Sequence, residues 1–143
     1  MPQIRCRFCH ESVDAGEIRA HEAEHLKPRP DGQQSEYVTL PPEERAEGDL
    51  AGVPRAYVHR KCGAGTGMPE EIIRSYLKDP FLYTAEATYC CGCRRHVPWR
   101  ECRWVETGED LETYFRALQA AKPEMRPGPL ARLVILLARL FRR

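Results

Sequence analysis

Cys6-Arg7-Phe8-Cys9 and, after eleven intervening residues, His21-Glu22-Ala23-Glu24-His25 decide how this chain is read. Together they spell C-x2-C-x11-H-x3-H. The two-residue gap puts two thiolates on one tight turn. The three-residue gap puts two imidazoles one helical turn apart on the same face. Two sulfurs and two ring nitrogens so disposed close a tetrahedron around Zn2+, and few other arrangements need this spacing. The residues around them are poor in core formers, so this segment is expected to need the metal to fold. The alternative is two free cysteines and two surface histidines. Cys6, Cys9, His21 and His25 form the first predicted ligand set.

Neighbouring residues fit the same reading. Ile4 starts a hairpin, Cys6 and Cys9 form its knuckle, and Val13 and Ile18 take two core positions. Asp14, with Glu17 three residues later, is expected to cap a helix on which Ile18, His21 and His25 share a face. The segment IRCRFCHESVDAGEIRAHEAEHLK resembles the zinc finger of the Cys-Cys-His-His type over about the first 26 residues. The resemblance implies a ββα fold. Two departures, Val13 where the family usually has Phe and a spacer one residue short, imply a smaller core and no loss of metal. Family members that read DNA do so from helix positions −1, 3 and 6. Aligned on His21, these are Asp14, Glu17 and Ala20, and none is a residue that reads purines in the major groove. Glu22 and Glu24 would repel phosphate, and a lone finger buries little surface on DNA. A structural or protein-binding finger is therefore expected.

A second constellation follows. His59-Arg60-Lys61-Cys62 is an H-x2-C pair and Cys90-Cys91-Gly92-Cys93 contains a C-x2-C pair, separated by 27 residues. Two facing knuckles of this kind are what a zinc ribbon uses. Gly63 and Gly92 suit the tight backbone there. His59, Cys62, Cys90 and Cys93 form the second predicted set. Cys91 is an alternative to Cys90, His96 to His59, and Cys102 is a further candidate. His96 reads better as a surface residue beside Arg94 and Arg95, and Cys102 as a small buried hydrophobe near Trp99 and Trp104. The stretch from Tyr57 to about Glu106 is similar to bacterial zinc-ribbon proteins without an assigned activity, a resemblance that supplies no catalytic residue.

The chain as a whole limits what else is possible. Its 143 residues suffice for one ordinary domain or two or three metal-stapled ones, and 12 prolines and 10 glycines break it often. With 22 basic and 21 acidic residues its net charge is +1, which excludes a broadly basic nucleic-acid-binding surface though not a local patch. Residues 1–26 carry 3 basic and 5 acidic groups, whereas residues 126–143 carry 5 arginines and no acid. Seven cysteines is an odd count, which suits metal binding in a reducing compartment better than a disulfide framework. The opening MPQIRCRFC has no apolar run of the secretory kind. A cytoplasmic location is expected, with the tail able to hold the chain at the inner face of a membrane.

The organisation read from these signals is a finger over 1–27, a Pro/Gly-rich acidic linker over 28–55, a ribbon-like domain with a C-terminal helix over 56–122, and a basic amphipathic tail helix over 123–143. Tyr37 to Leu40 reads as a short strand or interaction peptide within the linker. Strands are expected at Ala56–His59, Thr88–Cys90 and Arg103–Glu106. One helix is expected from Pro69 to Lys78. Another begins at Thr107, with Asp110 in a capping box and Leu111, Tyr114, Phe115 and Leu118 at helical spacing. The fold class is small α+β, stabilised by two Zn2+.

Both ligand sets are complete, leaving no open coordination position, so no enzyme is expected. Gly63, Gly65 and Gly67 lack the Gly-Lys-Ser/Thr of a phosphate loop and read as a flexible turn. The leading expectation is a non-enzymatic module with structural zincs that mediates protein interaction or tethers at a membrane surface. Two alternatives stand beside it. Arg94, Arg95, Arg100 and Arg103 with Trp99 and Trp104 suit single-stranded nucleic acid, which stacks on rings and runs along charge. The CCGC run suits thiol redox chemistry if it is free of metal. The tail, GPLARLVILLARLFRR, is too short to span a bilayer. Three readings compete for it: an anionic membrane surface with the arginines facing head groups, a partner or second copy, and packing on the domain as core.

Overall fold

The computed structural model describes residues 1–141. Among them, short antiparallel strands form three separate small sheets and four α-helices lie between and after them.

At the N-terminus, β1 (Gln3–Arg5) pairs antiparallel with β2 (Ser12–Asp14), Ile4 opposite Val13, and α1 (Ile18–His25) follows. The expected cap differs. Asp14 ends β2, and its Oδ1 accepts the Gly16 N–H at 2.8 Å. That local turn occupies the carboxylate that a capping box would have used. The helix instead starts at Ile18, with Glu17 before it making no side-chain cap. Val13 and Ile18 are only half-buried; the ring that fills this unit is Phe8, 5% exposed and stacked on His25 with centroids 5.3 Å apart. Burying one such ring is worth about 2–3 kcal/mol, whereas fixing each residue's backbone costs about 1–2 kcal/mol. Apolar burial alone therefore cannot order this unit.

Residues 28–55 are mostly irregular, apart from one 3-10 turn at Pro42–Glu44. They form a strap pinned at both ends. Tyr37 to Leu40 joins no sheet, but the Thr39 N–H donates to Arg7 O at 3.3 Å and Thr39 Oγ1 lies 2.9 Å from His10 Nε2. Arg5 pairs with Glu43 at 2.6 Å. Toward the other side, the Leu40 N–H donates to Ser75 Oγ, Tyr83 Oη to Val38 O, and Arg74 Nη1 to the carbonyls of Ala46 and Gly48. Leu50 enters the main core.

The main unit runs β3 (Ala56–His59), β4 (Gly65–Gly67), α2 (Glu70–Lys78), β5 (Ala87–Cys90), β6 (Arg95–Pro98), β7 (Cys102–Trp104) and α3 (Leu111–Ala121). β3 is the centre of a β4-β3-β7 sheet, and β5 and β6 form a hairpin beside it. The glycines expected as a flexible turn are instead the edge strand β4, because their backbone can pair with Ala56 to Val58 without any side chain to place. Alternation decides the faces: Tyr57 and His59 of β3, and Thr88 and Cys90 of β5, point inward. α3 buries Leu111, Phe115 and Gln119, four residues apart along one face. It starts four residues later than expected. Thr107 Oγ1 accepts the Glu109 N–H and Gly108 takes φ +75°, so Thr107 closes a turn and Asp110 takes the cap position. The core is aromatic: Trp99 stacks on Phe115 at 4.3 Å, and Tyr76 meets Phe115 edge-on at 4.9 Å.

The last helix, α4 (Pro129–Leu140), has no buried residue, so it does not pack on the body as core. Arg139 ties it down, donating from Nε to Thr84 O and pairing through Nη2 with Glu86, each at 2.7 Å. Arg116 of α3 takes the other Glu86 oxygen. No helix among the described residues is long and apolar enough to cross a membrane. Arg142 and Arg143, expected to flank the tail, lie outside the described residues.

Candidate metal centres

The fold brings each expected quartet together. In Cys6, Cys9, His21 and His25, and again in His59, Cys62, Cys90 and Cys93, the potential ligand atoms all lie within 4.8 Å of one another. In the first cluster the hairpin supplies the sulfurs and α1 the rings. Cys9 Sγ is 3.2 Å from His21 Nε2, which is 3.2 Å from His25 Nε2. In the second, His59 Nδ1 is 3.4 Å from both Cys62 Sγ and Cys93 Sγ, and the Cys62 and Cys90 sulfurs are 3.5 Å apart. A tetrahedron with ordinary Zn–S and Zn–N bonds has edges of roughly 3.3–3.8 Å. Both donor sets therefore fit a metal ion of that size.

The backbone repeats one device at three knuckles. The N–H of the residue just after the second ligand returns to the carbonyl of the first: His10 to Cys6 at 2.9 Å, Gly63 to His59 at 2.8 Å, and Arg94 to Cys90 at 2.8 Å. All three of those residues have positive φ, at 67°, 76° and 56°. Only Gly63 adopts that conformation without cost; His10 and Arg94 hold it because the turn must present two ligands to one point. The H-x2-C pair thus has the same backbone build as the two C-x2-C pairs. Backbone N–H groups also point at sulfur, from Phe8 to Cys6, Ala64 to Cys62 and Cys93 to Cys90. The Ala64 N–H holds the Cys62 thiol below its ordinary pKa, favouring the thiolate a metal needs. At Gly92 an added Cβ would come within 2.5 Å of Ala64 Cβ and 3.1 Å of Cys62 Sγ, so the two knuckles of the second cluster abut there.

One partner had no signal in the reading of the chain. Glu101 Oε2 is 2.9 Å from His59 Nε2, on the ring edge away from the sulfurs, and Glu101 also pairs with Lys61 at 2.9 Å. A carboxylate there fixes the ring's orientation and leaves Nδ1 free to ligate. The His59 ring is 1% exposed, so that contact is shielded. The two residues are 42 positions apart, and β3–β7 pairing brings them near.

The alternative ligands stand elsewhere. Cys91 is exposed and donates to Gly65 O. His96 is exposed and packs edge-on against Tyr89. Cys102 is fully buried within the core, and burial pushes its thiol up to about 11, which keeps it protonated. Arg94, Arg95, Arg100 and Arg103 are exposed. Trp99 is a correction: at 4% exposure and stacked on Phe115, it offers no ring face to a base, and Trp104 is wholly buried.

No family model, curated protein or solved structure matches this chain.

Proposed function

We propose that this chain is a non-enzymatic binding module in which two structural Zn2+ ions, one in a finger of the Cys-Cys-His-His type and one in a ribbon-like domain, hold surfaces for a partner. The observation that carries this reading is that each cluster offers four mutually close donors. A four-donor set satisfies a tetrahedral ion and leaves no position for water or substrate. Cys6, Cys9, His21 and His25 would hold one ion; His59, Cys62, Cys90 and Cys93 would hold the other, with Glu101 orienting His59. When bound, the ions cross-link distant turns and so contribute folding free energy.

Two competing readings lose support from named contacts. Base stacking at the arginine patch lacks its aromatic partner, since Trp99 belongs to the core. Thiol redox at Cys90 and Cys93 competes with a quartet in which both sulfurs already face His59 and Cys62. Native mass spectrometry of the protein purified under reducing conditions tests the proposal. Two zincs per chain, with only Cys91 and Cys102 outside the sites, are expected. One zinc with Cys90 and Cys93 freely alkylated would remove the ribbon-like site and restore the redox reading.

A further inference from the structure

A helix that only completes a fold turns its apolar stripe inward. α4 turns Leu133, Ile135 and Leu136 toward the body but leaves a second apolar stripe outside. Arg132 and Arg139 lie two turns apart on one stripe, and both line the cleft of about 680 Å³ that α4 forms with Phe81, Glu86 and Arg116. Arg139 is the residue held by Thr84 and Glu86. Leu130, Val134, Leu137, Leu140 and Phe141 occupy the far face and are 45–87% exposed. No charge interrupts them. A contiguous apolar face of this extent on a folded chain marks a docking surface.

We propose that this face docks on an anionic lipid bilayer, with α4 lying in the head-group region parallel to the membrane. Length argues first. A helix of 12 residues is about 18 Å long, short of the roughly 30 Å of hydrocarbon a spanning helix must cross. It can lie in the interface but not traverse it. Charge argues second. Residues 126–143 hold 5 arginines and no acid in a chain of net charge +1, so attraction to anionic head groups concentrates at this end. Arg132 sits on the cleft side, away from Leu130, Val134 and Leu137, where head groups and water would be once those residues are immersed; Arg139 on the same side is paired with Glu86. Area argues against a second copy. Two helices of this length cover on the order of 350 Å² each, short of the roughly 500 Å² per partner of a stable interface. A bilayer covers the whole face, including Phe141 at the outer end. The proposal depends on the binding-module reading only through the folded body that holds Glu86 under α4.

Co-sedimentation of the full zinc-loaded chain with vesicles tests it, zinc content being measured on the same sample. Vesicles of phosphatidylcholine with about 30% phosphatidylglycerol should carry the protein down at least tenfold better than pure phosphatidylcholine. Val134→Glu with Leu137→Glu should abolish this while both zincs remain bound. Arg126→Gln with Arg132→Gln should weaken it roughly 25-fold, about fivefold per charge. No sedimentation of a chain that carries both zincs would overturn the membrane proposal and leave the zinc reading intact. Equal sedimentation with both vesicle types would overturn the anionic head-group assignment. A dimer by light scattering that Val134→Glu with Leu137→Glu dissolves, without vesicle binding, would assign the face to a second copy. Loss of zinc with retained vesicle binding would instead fault the metal assignment alone.

Discussion

The two Cys/His clusters use the same knuckle but stand on different foundations. The first draws all four ligands from residues 6–25, around a single buried ring, Phe8. The second joins turns separated by 27 intervening residues and sits against a core containing Tyr57, Tyr76, Trp99, Trp104 and Phe115. In the first, metal would replace a core. In the second, it would clamp the edge of one. The number of ligands therefore says little about how far each unit depends on its ion; the apolar volume beside the ligands decides that.

The sharpest way to break this contrast is to remove one ligand from each site. Cys6→Ser should remove much of the metal-binding free energy on which folding of the first unit would depend. Amide exchange in α1 should then lose its protection while β3 and α3 keep theirs. Cys93→Ser should lower the melting midpoint of the main unit without abolishing its cooperative transition. Persistent protection in α1 of the Cys6→Ser variant would show that the first unit has a foundation beyond Phe8.

Phe115→Ala probes the other side of the comparison. It removes the ring against which Trp99 stacks and Tyr76 abuts, so the main unit should lose about 3–5 kcal/mol in denaturant titration. Both zincs should stay bound at low denaturant. A loss under 1 kcal/mol would mean the clamp, rather than the core, carries the second unit.

Glu101→Gln separates the clusters by their outer partners. The amide oxygen can still accept from His59 but lacks the charge, and metal affinity at the second site should fall roughly 10- to 100-fold. Competition with a chromophoric chelator would measure it, with the first site as internal reference. The smallest effect is expected at the strap. Thr39→Val removes the hydroxyl beside His10 and should cost about 1 kcal/mol, seen as faster exchange in the first unit. No change there would show that the strap's backbone contacts suffice.

What was legible in the chain follows the reach of each signal. Ligand spacing is local and rigid, so C-x2-C, H-x2-C and H-x3-H could be read directly, as could the Pro69–Lys78 helix from its acidic first turn and apolar stripe. Capping was not, because Asp14 and Thr107 each had a nearer N–H to bind than the helix they were expected to cap. Glu101 was invisible because its partner lies across a strand pairing. The tryptophans showed size but not direction; only the position of Phe115 makes Trp99 a core residue and not a stacking platform. The tail's periodicity was plain, yet the partners of the face that meets the body, Thr84 and Glu86, lie in a loop with no pattern of its own.

The strap has a mechanical consequence. Its contacts reach Arg5, Arg7 and His10 on one side and Arg74, Ser75 and Tyr83 on the other. Two beads on a loose string would each rotate with their own correlation time and sample many mutual angles. Strapped in this way, both cluster-bearing units should share one rotational diffusion tensor, so that a torque applied at α4 reorients the N-terminal hairpin as well.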